Sequence, residues 1–132
     1  SNICSNQTLM AVTAAIQLGW LGTAGLREVA VACARGSHYL HEQLTEIPGV
    51  MPVSSAPFFR EFAINLPISS EEAIVEMAKL GFLAGVSLTQ LCGNSDRSLE
   101  GDLSRTLLVA VTERRTKAEI DSYVDALRKV IA

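Results

Sequence analysis

The stretch Thr106-Leu107-Leu108-Val109-Ala110-Val111-Thr112, followed by Thr116-Lys117-Ala118-Glu119-Ile120, decides the fold. Seven residues dominated by Leu and Val read as a strand. Thr116 with Glu119 three positions later is the signature of a capping box. Ile120, Val124, Leu127 and Ile131 then recur at three- and four-residue or near-helical steps, so an amphipathic helix follows the strand.

Upstream, residues 85–91 alternate Val86 and Leu88 with Ser87 and Thr89, the pattern of a half-buried strand, and the polar residues 93–102 read as a loop. Ser69 with Glu72 forms a second capping box, opening a helix that turns Ile74, Met77 and Ala78 inward and closes at Gly81. Residues 50–53 and 61–66 have period two, with Phe62, Ile64 and Leu66 on one face, and read as strands. A long amphipathic helix carrying Leu26, Val29, Cys33, Leu40, Leu44 and Ile47 ends at Pro48-Gly49. Before it, a turn-rich link over 19–25 joins a first helix, 6–18, capped by Ser5 or Asn6 and apolar nearly all the way round. So apolar a helix calls for cover from another domain or subunit.

The order is helix, helix, strand, strand, helix, strand, strand, helix. It predicts an α+β two-layer sandwich, a small antiparallel or mixed sheet with helices over one face. At 132 residues one domain over 1–132 is expected. A hydrophobic fraction of 48% against 19% charged fits a packed globular chain rather than a disordered one. Eleven basic residues against 14 acidic ones leave no electrostatic footprint for nucleic acid or an anionic membrane. No unbroken apolar run approaches membrane-spanning length, and the first residues carry no secretory or transit pattern, so neither a membrane nor nucleic acid is expected as a partner. Cys4, Cys33 and Cys92 are odd in number and lack CxxC spacing, which speaks against a disulfide framework or a zinc ribbon and for a reducing, cytoplasmic setting.

The residues supply little chemistry of their own. Lys79, Lys117 and Lys129 all fall on polar helix faces, whereas a lysine that anchors a carbonyl cofactor must be desolvated or placed beside another cation. His38 and His41 have helical spacing for a metal but no third ligand. Cys4 and Cys33 read as packing residues, and Cys92 alone as a candidate thiol. Glu71 and Glu72 complement a helix start. Arg114 and Arg115 leave two readings open, a solvated turn or an anion or subunit contact. Nucleotide-binding glycine loops and the GxSxG elbow are absent.

Four segments, in order and spanning the chain, carry a resemblance to a known family. Ser1-Asn2-Ile3-Cys4-Ser5-Asn6-Gln7 is similar to the S-N-I-C-T-x-Q segment where glycine decarboxylases pass from their large domain to their small one. Gly25-Leu26-Arg27-Glu28-Val29-Ala30, Pro57-Phe58-Phe59-Arg60-Glu61-Phe62, and Val111-Thr112-Glu113-Arg114-Arg115-Thr116 with Glu119-Ile120-Asp121 resemble the same family. The form of Thr112-Glu113-Arg114-Arg115-Thr116, with Pro57-Phe58-Phe59-Arg60-Glu61-Phe62 upstream, resembles the alpha-type subunit (subunit 1) of the two-subunit enzyme more than the beta-type subunit or the fused form.

The resemblance implies the C-terminal small domain of an aspartate-aminotransferase-like, fold type I, pyridoxal-phosphate enzyme, with residues 1–20 as the domain-junction helix. A chain that begins inside a motif, without Met, is then expected to be cut from a longer one. The implied enzyme decarboxylates glycine and transfers the aminomethyl group to the lipoyl arm of the H-protein, the cofactor acting as electron sink. The implied anchor lysine lies in the beta-type subunit (subunit 2), so this domain alone would be inactive and bind no pyridoxal phosphate. Its implied partners are that subunit, in a hetero-oligomer, and the H-protein. No catalytic, cofactor or metal residue is carried over. Asn2, Thr112, Glu113 and Arg115 occupy motif positions that imply cleft or inter-subunit contacts.

Two alternatives stay open: the small domain of another enzyme of this fold, such as an aminotransferase, and a free-standing α+β module that binds a ligand or partner. An aminotransferase would place a carboxylate-binding arginine on the central strand, where Leu107, Leu108 and Val109 stand and Arg105 lies only at the edge. Leu91-Cys92-Gly93-Asn94-Ser95 departs from the segment expected of the family, so no substrate-path role is assigned to it.

Overall fold

A four-stranded antiparallel sheet in the order β1-β2-β4-β3 organises the computed structural model, which describes residues 6–92 and 103–132. The elements are α1 (Thr8–Thr45), β1 (Met51–Pro52), β2 (Glu61–Asn65), α2 (Ser70–Lys79), β3 (Val86–Ser87), α3 (Leu88–Cys92), β4 (Thr106–Ala110) and α4 (Lys117–Val130), with a 3-10 turn at Leu103–Arg105. The chain divides into two compact units, 1–31 and 32–132, where the sequence reading drew one domain with a junction helix over 1–20.

In the unit 32–132, register explains the core. Phe62 pairs with Val109 and Ile64 with Leu107, so alternation points these four side chains to the same face, where all are buried. Leu40 and Leu44 of α1, Ala73 and Met77 of α2, and Ile120, Val124 and Leu127 of α4 complete the same buried cluster. The helices therefore cover one face of the sheet, and the sheet is wholly antiparallel, as the sequence reading allowed. Each fully buried Leu, Ile or Met here contributes about 1.5–3 kcal/mol of transfer free energy. Two close approaches set the layers. A Cβ on Gly36 would lie 3.0 Å from Val111, and one on Gly85, at φ +146°, would lie 2.3 Å from the Leu108 carbonyl oxygen. Glycine at 85 is what lets β3 sit against β4.

Three local expectations give way. The link over 19–25 narrows to a single break at Gly22 (φ 58°, ψ −173°), a kink at which two helical stretches of α1 meet and a backbone conformation that favours glycine. The strand drawn over 85–91 shrinks to Val86–Ser87, and Leu88–Cys92 is helix; four alternating residues fit one helical turn as well as a strand. The Ser69 side chain makes no cap bond to α2. The hydroxyl at work is its neighbour's: buried Ser70 Oγ lies 2.9 Å from Ser87 Oγ and donates to the Ser104 carbonyl at 2.9 Å. The second capping box, Thr116 with Glu119, forms as read. The loop read over 93–102 lies outside the described residues.

In the unit 1–31 the residues of α1 leave large apolar side chains exposed, among them Leu9, Ile16 and Trp20. An 18-residue window of α1 has mean hydropathy 1.4, so by length and composition this helix could cross a membrane. An averaged window passes where no unbroken apolar run does, and helices covered by other protein pass the same test.

Candidate functional site

The motif residues Thr112, Glu113 and Arg115 meet in one turn between β4 and α4. β4 delivers the turn: the Val111 N–H donates to the Arg60 carbonyl at 2.9 Å, extending the β2 ladder one residue past the strand. The turn closes as the Arg115 N–H donates to the Thr112 carbonyl at 3.2 Å, while the Arg114 N–H reaches Thr112 Oγ1 at 3.4 Å. Glu113 faces α1, where Cys33 Sγ donates to its Oε2 at 3.7 Å. Arg115 extends along α4 to Glu119 Oε1, 3.5 Å away. Glu119 also accepts from the Thr116 N–H at 2.8 Å, and hydrogen bonds from the Thr116 backbone and side chain, with Arg115 nearby, hold its carboxyl below the ordinary range. Asn2, the remaining motif position, lies outside the described residues.

Arg115 and Glu119 stand at one wall of a groove of about 880 Å³ in the unit 32–132, whose other walls include Phe82, Val86, Leu108 and Tyr123. Tyr123 is tied down by its hydroxyl, which donates to the Ala84 carbonyl at 2.6 Å, and burial pushes its phenol well above the ordinary value. The groove is lined mainly by apolar side chains. Among the described residues the one aliphatic hydroxyl on its lining, Ser122, donates to the Ala118 carbonyl, so its chemistry is that of a wall: apolar contact with the Arg115 guanidinium and the Glu61 and Glu119 carboxylates at the margin.

The histidines find a structural setting. His38 Nε2 donates to the Phe58 carbonyl at 3.1 Å and its ring stacks on Phe58 at 4.3 Å; His41 meets the Phe62 ring edge-on at 5.0 Å. Burial, with repulsion from His38, holds His41 below its ordinary value. Among the described residues no group of three metal-ligating side chains occurs. Cys33 is buried, and the side chain of Cys92 lies outside the description.

The lysines do not fit a cofactor anchor. All three are exposed. Lys79 pairs with Glu76, and Lys117 pairs with Asp121 at 2.7 Å and sits 4.7 Å from the centre of the Tyr39 ring. Hydrogen bonds to Asp121 and Tyr39 raise the Lys117 ammonium to about 12, the opposite of what a nucleophilic amine requires. Sequence reading missed the Tyr39–Asp121 bond, 2.7 Å across 82 positions, because nothing in local spacing marks a long-range pair.

Comparison with known proteins follows the geometry. The family model described as glycine cleavage system P-protein matches residues 1–127. A Chlorobium limicola protein named probable glycine dehydrogenase (decarboxylating) subunit 1 is 46% identical over 127 residues, 96% of this chain and 26% of that protein. A Moorella thermoacetica protein of the same name is 40% identical over 132 residues, 100% of this chain and 28% of that protein. The chain thus spans about a quarter of the length of the curated relatives it matches. The crystal structure of a glycine decarboxylase (P-protein) of the glycine cleavage system, in inhibitor-bound form, superposes with a TM-score of 0.83 at 35% identity, over 98% of this chain and 28% of that one. A NifS-like protein from Rickettsia africae shares the fold alone, with a TM-score of 0.61 at 15% identity over 80% of this chain and 31% of that one.

Proposed function

The chain belongs to the glycine cleavage system P-protein family, and on that premise we propose that it is the C-terminal small domain of the alpha-type subunit, subunit 1, of a cytoplasmic glycine dehydrogenase (decarboxylating). The observation that carries this reading is a match to subunit 1 proteins that runs along 96–100% of this chain yet takes up only 26–28% of theirs. The whole enzyme decarboxylates glycine with pyridoxal phosphate and passes the aminomethyl group to the lipoyl H-protein.

The lysines of this chain do not fit the cofactor, since each is solvated and Lys117 is held protonated. No chemical step is assigned to these residues. The anchor lysine belongs to the beta-type subunit, and this domain supplies wall and contact surface. The turn over 112–115 and the groove beside Arg115 are the surfaces it offers, and Asn2, Thr112, Glu113 and Arg115 are the residues for cleft or inter-subunit contact. The near balance of 11 basic and 14 acidic residues supplies no electrostatic footprint for nucleic acid.

The test is to mix the chain with pyridoxal phosphate, reduce with borohydride and map the product by mass spectrometry. No stoichiometric adduct at Lys79, Lys117 or Lys129 is expected, and glycine turnover is expected only when full-length subunit 1 and the beta-type subunit are combined. One fully modified lysine, or turnover by this chain unaided, overturns the reading.

A further inference from the structure

The connection from β1 to β2 over 54–60 contains neither helix nor strand, yet consecutive carbonyls at its end are each held by a different donor. His38 Nε2 donates to the Phe58 carbonyl at 3.1 Å, Ser37 Oγ to that of Phe59 at 2.6 Å, and the Val111 N–H to that of Arg60 at 2.9 Å. Ser37 and His38 stand on α1, so the connection is a strap laid against that helix. Its aromatic anchor is Phe58, whose ring stacks on His38 at 4.3 Å, meets His41 at 5.1 Å and lies 5.2 Å from the Phe62 ring. The seat that α1 offers to this anchor is thus made of two imidazoles, side chains that can acquire charge.

His41 is the sensitive part of the seat. It is partly buried against both phenyl rings, and its ring nitrogens find no hydrogen-bond partner among the described residues. An imidazole so placed fits while neutral; as a cation it gives up water and gains no acceptor. On α1, His38 lies one turn away and adds like charge, and Glu42, next in the chain, is exposed. From the strap side the charged groups are Arg60 and Glu61, which pair with each other at 3.5 Å; Glu61 and His41 line the same cavity of about 270 Å³. Residues 51–59 and β4 carry no charged side chain.

We propose that residues 54–60 form an acid-released strap, seated on α1 while His41 is neutral and unseated, with the Arg60–Val111 bond opened, when His41 takes up a proton. Burial and the neighbouring His38 hold His41 below its ordinary value, so the seated form excludes the proton and the unseated form accepts it. The strap is therefore fully held above the ordinary histidine value and is released as pH falls from there. Val111 leads into the turn over 112–115, so release also loosens the surface offered for contact. That last consequence rests on the subunit 1 reading; the strap itself does not.

The test is amide hydrogen exchange of full-length subunit 1, read by mass spectrometry at pH 7.5 and 5 and corrected for the intrinsic exchange rate. Protection of the Val111 amide is expected to fall at least about threefold in acid, while that of Leu107, deep in the same ladder, changes less. His41→Gln should remove the fall. Phe58→Ala, which takes away the anchor, should leave Val111 weakly protected at both pH values, and it keeps the test alive if the first variant does not fold. Unchanged Val111 protection, an equal fall at Leu107 as in global unfolding, a fall that persists in either variant, or a rise in acid as attraction of the cation to the phenyl rings would give, each overturns the proposal. Glycine turnover by the subunit pair is read separately: its absence sinks the functional reading and leaves the strap to be judged by its own amides.

Discussion

The Tyr123 hydroxyl donates to the carbonyl of Ala84 across 2.6 Å, fixing the segment before β3 to helix α4. Both residues are buried, so removing the donor leaves a carbonyl with neither partner nor water. Tyr123→Phe keeps the ring and its edge-on contact with Phe82 but loses that bond. A loss of about 1–2 kcal/mol in urea unfolding is expected for a carbonyl left unpaired in this way. An unchanged midpoint would show that the bond adds nothing.

Gly85 offers a sharper case. Its φ of +146° and the Leu108 carbonyl oxygen, 2.3 Å from where a Cβ would stand, forbid even a methyl group without moving backbone. Gly85→Ala is expected to cost roughly 2 kcal/mol or more, from the strained conformation and the overpacking together. Gly81→Ala, with open space at its Cβ but φ +85°, tests the conformational part alone and should cost less. Equal losses for the two would refute the steric argument.

How far the sequence disclosed these features depended on the range of the interaction. That Phe62 and Ile64 share one face of β2 follows from period two, and the Thr116–Glu119 cap from a three-residue spacing, so both were legible. Ser69–Glu72 has the same spacing and no cap bond forms, because spacing reports an opportunity and the neighbouring Ser70 is held by Ser87 and Ser104. The turn over 112–115 was found through motif positions rather than chemistry. Its contact with Cys33, 80 positions away, had no local signal, and neither did the pairing of β2 and β3 with β4, which joins strands far apart in the chain.

The two cap sequences give a paired experiment. Thr116→Ala removes a side chain that accepts from the Glu119 N–H and is expected to cost about 1 kcal/mol. Ser69→Ala removes a side chain with no cap bond and should change stability by less than about 0.5 kcal/mol. Thermal or urea unfolding of both variants decides it, and the reversed ranking contradicts the assignment.

His41 sets an acid dependence. Burial and the adjacent His38 hold it below the ordinary value of 6.5, so the unfolded chain takes up the proton first. The stability it contributes is fully present above the unfolded value and is lost as pH falls from there through the lowered folded one. Between pH 7.5 and 5 the urea midpoint should fall, and His41→Gln should flatten that slope. A slope unchanged by the substitution assigns the acid dependence to other groups.

Helix α1 supplies the last test. Leu9, Ile16 and Trp20 are 77%, 66% and 88% exposed, a density of apolar surface that water tolerates poorly on a helix. If this face meets other protein in the intact subunit, the chain by itself should bind a hydrophobic dye and associate with itself in sedimentation. Changing Leu9 and Ile16 to Gln should weaken both, while leaving the urea midpoint of the unit 32–132 unchanged, since the residues that form its core all lie beyond residue 31. A chain that is monomeric and dye-silent at high concentration would mean that the helix needs no cover.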